Sequence, residues 1–331
     1  MMYKNHIFVF TLYHNFCEIQ YKIVEIAPVD IVQLLDYYVC IKTKQEAEGM
    51  LLELLKKDFV IMDGGMGTML IKRGMTAGQR SDMMNIEQPE VVTGIQREYV
   101  EAGSEILCSN SFSSCSEALE GTGTTAEEVI TAAINIAKKA SDGKALVAVD
   151  IGPTGKLLEP YGDVTYEEVY ARFREQAVLG EKAGADLAMV ETMSDLTELR
   201  AAVSAVLENT SLPVFATMTF REHGKTFIGC SVEEFAEYIN ETPVAAAGMN
   251  CSMAPEDMYP VAEKLSKLLK KPMIAKMNAG LPDGITGEYD VTPEIFAQQM
   301  EKYKELGVKI VGGCCGTTPE HIKALKTVYE K

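Results

Sequence analysis

A closed (β/α)8 TIM barrel in one domain is the fold the sequence predicts, and three observations predict it. Eight apolar runs of strand length recur, at 59–62, 105–109, 145–151, 187–191, 214–219, 244–250, 273–278 and 309–312. Amphipathic stretches of helical period lie between them, near 89–102, 126–141, 166–183, 195–208, 232–240, 255–269 and 292–306, and another closes the chain at 319–329. The apolar runs are continuous rather than alternating, which is the pattern of parallel strands buried on both faces. A doubly wound open sheet is the alternative, but the chain carries no strong dinucleotide fingerprint to support it.

The barrel takes up residues 45–331, beginning with a helical pattern over 46–57. Residues 1–44 do not join the repeat. They are rich in aromatic residues (Phe8, Phe10, Tyr13, Phe16, Tyr21, Tyr37, Tyr38) and read as an N-terminal extension of unknown role. Either they pack as a short element, or they are foreign to the natural product and Met50 is its start.

A formal net charge of -17 argues against nucleic acid and anionic membrane surfaces as partners. No apolar run approaches the length of a membrane span. The eight cysteines are scattered without a disulfide rhythm. The apolar segment 7–13 is short and lacks a cleavage pattern, so a reducing cytoplasm is the expected location.

Barrel chemistry belongs at the C-terminal ends of strands. Asp63, Asn110, Asp150, Glu191, Asn250, Cys251, Asn278, Cys314 and Cys315 are placed there. The last of these positions organise the rest: Gly312-Gly313-Cys314-Cys315-Gly316 follows an apolar run and leads into a helix start, with Thr318 as N-cap and Pro319 at its first position. Vicinal cysteines pair with each other only under strain, whereas flanking glycines let both sulfurs aim at one spot. A thiophilic cation, zinc first, explains such a spot. Cys251, also at a strand end, supplies a third thiolate, and three thiolates without a fourth describe an open site. Three inert buried cysteines are the competing reading.

Asp63 precedes the glycine-rich stretch Gly64-Gly65-Met66-Gly67-Thr68, which lacks the Gly-Lys-Ser/Thr ending of a phosphate loop. The stretch reads as a tight loop for close approach to a small ligand, with Asp63 either holding an ammonium group or capping the loop. Glu191 ends the fourth strand, where a buried carboxylate needs a cation. Asp63 and Glu191 can grip one amino group together, or Glu191 can pair with a basic residue of the barrel. Asp195 with Glu198 reads as a capping box. His321 reads as an ordinary helix residue rather than a fourth ligand. Cys108, Cys115 and Cys230 read as packing residues, and Cys17 and Cys40 fall outside the barrel.

With Asp63-Gly-Gly-Met-Gly-Thr68, Ser109-Asn-Ser-Phe112, Gly152-Pro-Thr-Gly155, Glu191-Thr192, Asn250-Cys251, Asn278-Ala-Gly280 and Gly312-Gly-Cys-Cys-Gly-Thr-Thr318 in this order, the chain from about residue 46 resembles the homocysteine S-methyltransferase family. Within it the likeness is to the N-terminal homocysteine-binding barrel of cobalamin-dependent methionine synthases. Ser109 and Ser111 stand where the family often has threonines. The resemblance implies that Cys251, Cys314 and Cys315 bind zinc and through it act in catalysis. It also implies that Asp63 and Glu191 receive the amino group of homocysteine, and that Asn278 fills the open zinc position before substrate arrives.

The implied reaction is zinc-dependent methyl transfer to the thiol of homocysteine, giving methionine. A corrinoid module would show Asp-x-His-x-x-Gly, yet none of His6, His14, His223 and His321 has an Asp two residues before it. With the chain ending at Lys331, the expected donor is a methyl-corrinoid on a separate protein. S-methylmethionine or betaine is the alternative donor. A non-catalytic zinc- and thiol-binding subunit is the alternative class, against which an open three-thiolate site argues.

Overall fold

The computed structural model describes residues 49–76, 78–284 and 286–331; the expected extension 1–44, with Cys17 and Cys40, lies outside them. Eight parallel strands form one sheet in the order β1-β8-β7-β6-β5-β4-β3-β2. They are β1 (Val60–Ile61), β2 (Ile106–Cys108), β3 (Leu146–Ile151), β4 (Leu187–Met193), β5 (Val214–Met218), β6 (Ala246–Cys251), β7 (Met273–Met277) and β8 (Ile310–Gly313). A parallel bridge between Met62 and Ile106 joins β1 to β2 and closes the barrel, as the continuous apolar runs predict.

The helices are α1 (Met66–Lys72), α2 (Met84–Glu87), α3 (Pro89–Ala102), α4 (Ala126–Ser141), α5 (Tyr166–Lys182), α6 (Leu196–Asn209), α7 (Val232–Glu241), α8 (Pro255–Ser266), α9 (Pro293–Glu301) and α10 (Pro319–Tyr329). Their starts are set locally. Thr125, Thr165 and Ser231 each accept from the amide of a glutamate three residues on, and that glutamate reaches back to the cap amide. The amphipathic helices then bury one face: α7 buries Val232, Phe235, Ala236 and Ile239. Truncating Phe235 to alanine would cost about 3–5 kcal/mol.

Three local expectations differ from the structure. The run 292–306 is not one helix, because α9 gives way to a 3-10 helix over Lys302–Leu306. The glycine-rich stretch after Asp63 contains α1, whose seven residues are too few to show a period. Asp195 does cap α6, accepting from the Thr197 amide at 2.7 Å, but Glu198 forms no capping box. Its Oε1 crosses to Thr154, accepting from the amide at 2.7 Å and the hydroxyl at 2.6 Å, and so ties α6 to the loop after β3.

Candidate metal centre and amino-group pocket

Three sulfurs meet at the mouth of the barrel. The Sγ atoms of Cys251, Cys314 and Cys315 lie within 4.8 Å of one another, and Cys251 Sγ is 3.9 Å from Cys315 Sγ. Cys251 ends β6, and both it and Ser252 adopt left-handed backbone, with φ of 63° and 74°. Such conformations cost a non-glycine residue energy and collect at functional sites. Cys314 and Cys315 follow β8 directly, in a turn pinned from several sides. The Gly313 amide donates to Asp63 O at 2.9 Å, the Cys314 amide to Met277 O at 2.8 Å, and the Ala279 amide to Cys315 O at 2.9 Å. The glycine-rich loop after β1 is part of this support. A Cβ on Gly65 would sit 2.7 Å from the Cys314 carbonyl oxygen, so the close approach that glycine permits here is to the cysteine turn rather than to a ligand.

Sulfurs this close cannot all carry charge unless a cation joins them. The thiols of Cys314 and Cys315 donate to Cys251 and draw it down to about 3. That same negative sulfur pushes Cys315 up to about 11 and Cys314 well above the ordinary thiol value. Beside them Asn278 donates from Nδ2 to Ser252 O at 3.0 Å, while its Oδ1 is buried without a hydrogen-bond partner. Three soft ligands with one orphaned carbonyl oxygen alongside fit a thiophilic divalent cation.

Asn250 braces this arrangement. Its Oδ1 accepts from the Thr192 amide at 2.9 Å and the Thr217 hydroxyl at 2.7 Å, and its Nδ2 donates to Thr192 Oγ1 at 2.8 Å. Thr192 is itself left-handed at φ 65°, where β4 shifts register against β5. One amide thus holds the ends of β4, β5 and β6 together just before Cys251.

A second cluster occupies the neighbouring strand ends. Lys276 on β7, in register with Asn250 on β6 and Gly312 on β8, points its Nζ to Glu191 Oε2 at 3.0 Å and Asp63 Oδ1 at 3.6 Å. The same Nζ lies 3.3 Å from Cys108 Sγ. Burial opposes the charge on Lys276, but Cys108, Glu191, Asp63 and Asp150 override it and raise its pKa well above the usual lysine value. Asp63 accepts from the Cys108 amide at 2.7 Å through Oδ2, so it is not a loop cap. Burial pushes its carboxyl up to about 6 against the opposing pull of Lys276. The cation that Glu191 requires is therefore Lys276, a residue that sequence reasoning did not single out. The available signal was a lone lysine inside the apolar run 273–278. Cys108 is more than filler, since it packs on that lysine.

His321 has both ring nitrogens engaged, Nδ1 with the Thr318 amide at 3.2 Å and Nε2 with Val291 O at 3.0 Å. It is a helix-start residue, as expected. Cys115 is fully buried and Cys230 half-buried, both outside the sulfur cluster.

A (β/α)8 barrel with converging sulfurs beside a buried carboxylate pocket at its strand ends has the layout of a barrel enzyme. A family profile described as Homocysteine S-methyltransferase matches residues 60–329. The chain therefore belongs to the homocysteine S-methyltransferase family and is a methyltransferase enzyme. Three crystal structures of the homocysteine methyltransferase MmuM from Escherichia coli are similar to it, each at 24% identity. The metallated form has a TM-score of 0.72 and covers 84% of this chain and 98% of its own. The oxidized form gives 0.74, with 85% and 99% covered, and the apo form 0.66, with 82% and 97%. At that identity the likeness speaks for the fold. Among the described residues, no helix is long and apolar enough to cross a membrane.

Proposed function

We propose that the chain transfers a methyl group to the thiol of homocysteine at a zinc ion held by Cys251, Cys314 and Cys315, giving methionine. The observation that carries this reading is the convergence of those three sulfurs within 4.8 Å. Zinc, when bound, makes a coordinated thiol acidic enough to lose its proton at neutral pH. Asp63 and Glu191 receive the substrate ammonium, with Lys276 holding the two carboxylates in place between ligands. Asn278, whose Oδ1 has no partner, covers the position that the substrate sulfur takes. The catalytic barrel is residues 45–331, with 1–44 as an appended segment, and free thiols at the centre suit a reducing, cytoplasmic setting.

The donor in this reading is a methyl-corrinoid on a separate protein. The sulfur–methyl bond forms as the methyl–cobalt bond breaks, the electron pair stays with the corrinoid, and the thiol proton goes to solvent. Support comes from the rim of the mouth: Leu157 and Tyr161 after β3, Phe227 after β5 and Leu281 after β7 are large apolar side chains, each at least half exposed. All four sit in strand-to-helix loops at the end of the barrel that carries the sulfurs, and exposed apolar side chains at that end suit a protein-borne donor better than a small soluble one.

Replacing Cys314 with alanine and measuring zinc content and methyl transfer together tests the centre. Both are expected to fall; full turnover in metal-free protein would end the proposal. Supplying homocysteine with a methyl-corrinoid protein, S-methylmethionine or betaine in turn tests the donor. Turnover with either small donor alone would overturn the corrinoid assignment.

A further inference from the structure

Asp150 lies one residue from the end of β3, at the mouth of the barrel. Its backbone is held firmly: Ser111 Oγ donates to Asp150 O at 2.9 Å, and the Asp150 amide donates to Ser111 Oγ at 3.1 Å, with Ser109 Oγ 3.3 Å away. A carboxylate oxygen of Asp150, one of Glu191 and Cys108 Sγ all lie within 4.8 Å of one another. Asp150 therefore faces the same space as the Lys276 cluster.

Its side chain differs from the other buried aspartates in forming no salt bridge among the described residues. Asp82 is bound by Arg80 at 2.6 and 3.0 Å, and Asp186 by Lys138 at 2.5 and 2.6 Å. Asp150 is only 7% exposed, and its Oδ1 has no hydrogen-bond partner. Asp63 Oδ1 likewise lacks a hydrogen bond but forms an ion pair with Lys276 at 3.6 Å. The ion pairs of this pocket run from Lys276 to Glu191 and Asp63, so three carboxylates share one cation. A buried acceptor left open serves stability poorly. A metal ion is not the missing partner, because Lys276 Nζ already stands 3.0 Å from Glu191 and 3.3 Å from Cys108.

We propose that Asp150 is a specificity-determining residue: it accepts a hydrogen bond from the α-ammonium of the thiol substrate and so selects amino-acid thiols over thiols lacking the amine. The inference rests on the homocysteine reading above. Burial and the neighbouring Glu191 raise the pKa of its carboxyl well above the usual range, so the pocket holds a proton that an arriving ammonium replaces as countercharge. Asn in its place keeps the shape and loses that countercharge.

The test is calorimetric titration of the zinc-loaded full chain, wild type and Asp150→Asn, with L-homocysteine and with 4-mercaptobutyrate, its des-amino analogue. Asp150→Asn is expected to weaken homocysteine about 10- to 100-fold and to change 4-mercaptobutyrate by less than about twofold. Asp150→Ser serves the same comparison if the Asn variant does not fold. Unchanged homocysteine affinity, or equal weakening of both thiols, would overturn the role of Asp150 alone. A zinc-loaded wild type that binds no homocysteine would overturn the functional reading and this inference with it.

Discussion

Lys276 Nζ stands 3.0 Å from Glu191 Oε2, and both side chains are buried. A cation held there organises the pocket before any substrate enters, because Asp63 and Asp150 would otherwise face Glu191 with no positive charge between them. The pair is a positioning device whose loss is expensive.

Lys276→Met removes the cation and leaves its carboxylates. Breaking a buried pair in this way costs about 3–5 kcal/mol. The loss should appear as a lower urea midpoint at neutral pH and shrink in mildly acidic buffer, where Asp63, its carboxyl pushed up to about 6 by burial, takes up a proton instead. A midpoint equal to the wild type at neutral pH would show that Lys276 is not the charge that holds this pocket together.

Asp63 predicts opposite pH trends for stability and for binding. Burial raises its carboxyl from 3.8 to about 6, against the opposing pulls of Lys276 and the Cys108 amide. The folded state thus holds the proton more tightly than the unfolded chain. The contribution of Asp63 to stability is complete below its ordinary pKa and is lost as pH rises through about 6. An ammonium ligand needs the ionised form, so homocysteine affinity should rise over that same window. Asp63→Asn should flatten the stability trend and weaken homocysteine at neutral pH. Denaturation midpoints and thiol titrations across the window measure both, and a variant with the wild-type stability slope would reassign the titration to another group.

The parts of the barrel that could be read in advance are those fixed by periodicity and local chemistry. Strands buried on both faces show as continuous apolar runs, and caps such as Thr165 with Glu168 show as short spacings. The three cysteines could be read because each sits where an apolar run ends. Lys276 could not, since its meaning depends on Asp63 and Glu191 arriving from β1 and β4, far away in the chain. Asn250 is similar: its identity is plain, but its hold on Thr192 and Thr217 exists only once three strands are side by side. Glu198 is the converse, a local pattern overridden by a tertiary partner, Thr154. Backbone strain at Cys251 and Thr192 left no mark in residue type, because neither is a glycine.

Gly316 couples the fold of the cysteine turn to the chemistry of its sulfurs. Its φ of 82° lies in the region that disfavours a side chain, and a Cβ added there would collide with the Tyr289 ring. That tyrosine shares a hydrogen bond with Cys315 through its hydroxyl. Gly316→Ala should therefore act twice, straining the turn and displacing Tyr289 from the sulfur, at a cost of about 1–3 kcal/mol in stability. Tyr289→Phe separates the two effects, since it keeps the ring and removes only the hydroxyl. Partners of metal ligands typically contribute about 10- to 100-fold in metal affinity. Tyr289→Phe should reach the lower end of that range with an unchanged melting temperature, and Gly316→Ala should lower both affinity and melting temperature. Competition for zinc with a chromophoric chelator, run beside thermal melts, reads the two quantities independently. Wild-type zinc affinity in both variants would mean that the turn around Cys315 is built for packing and not for a metal.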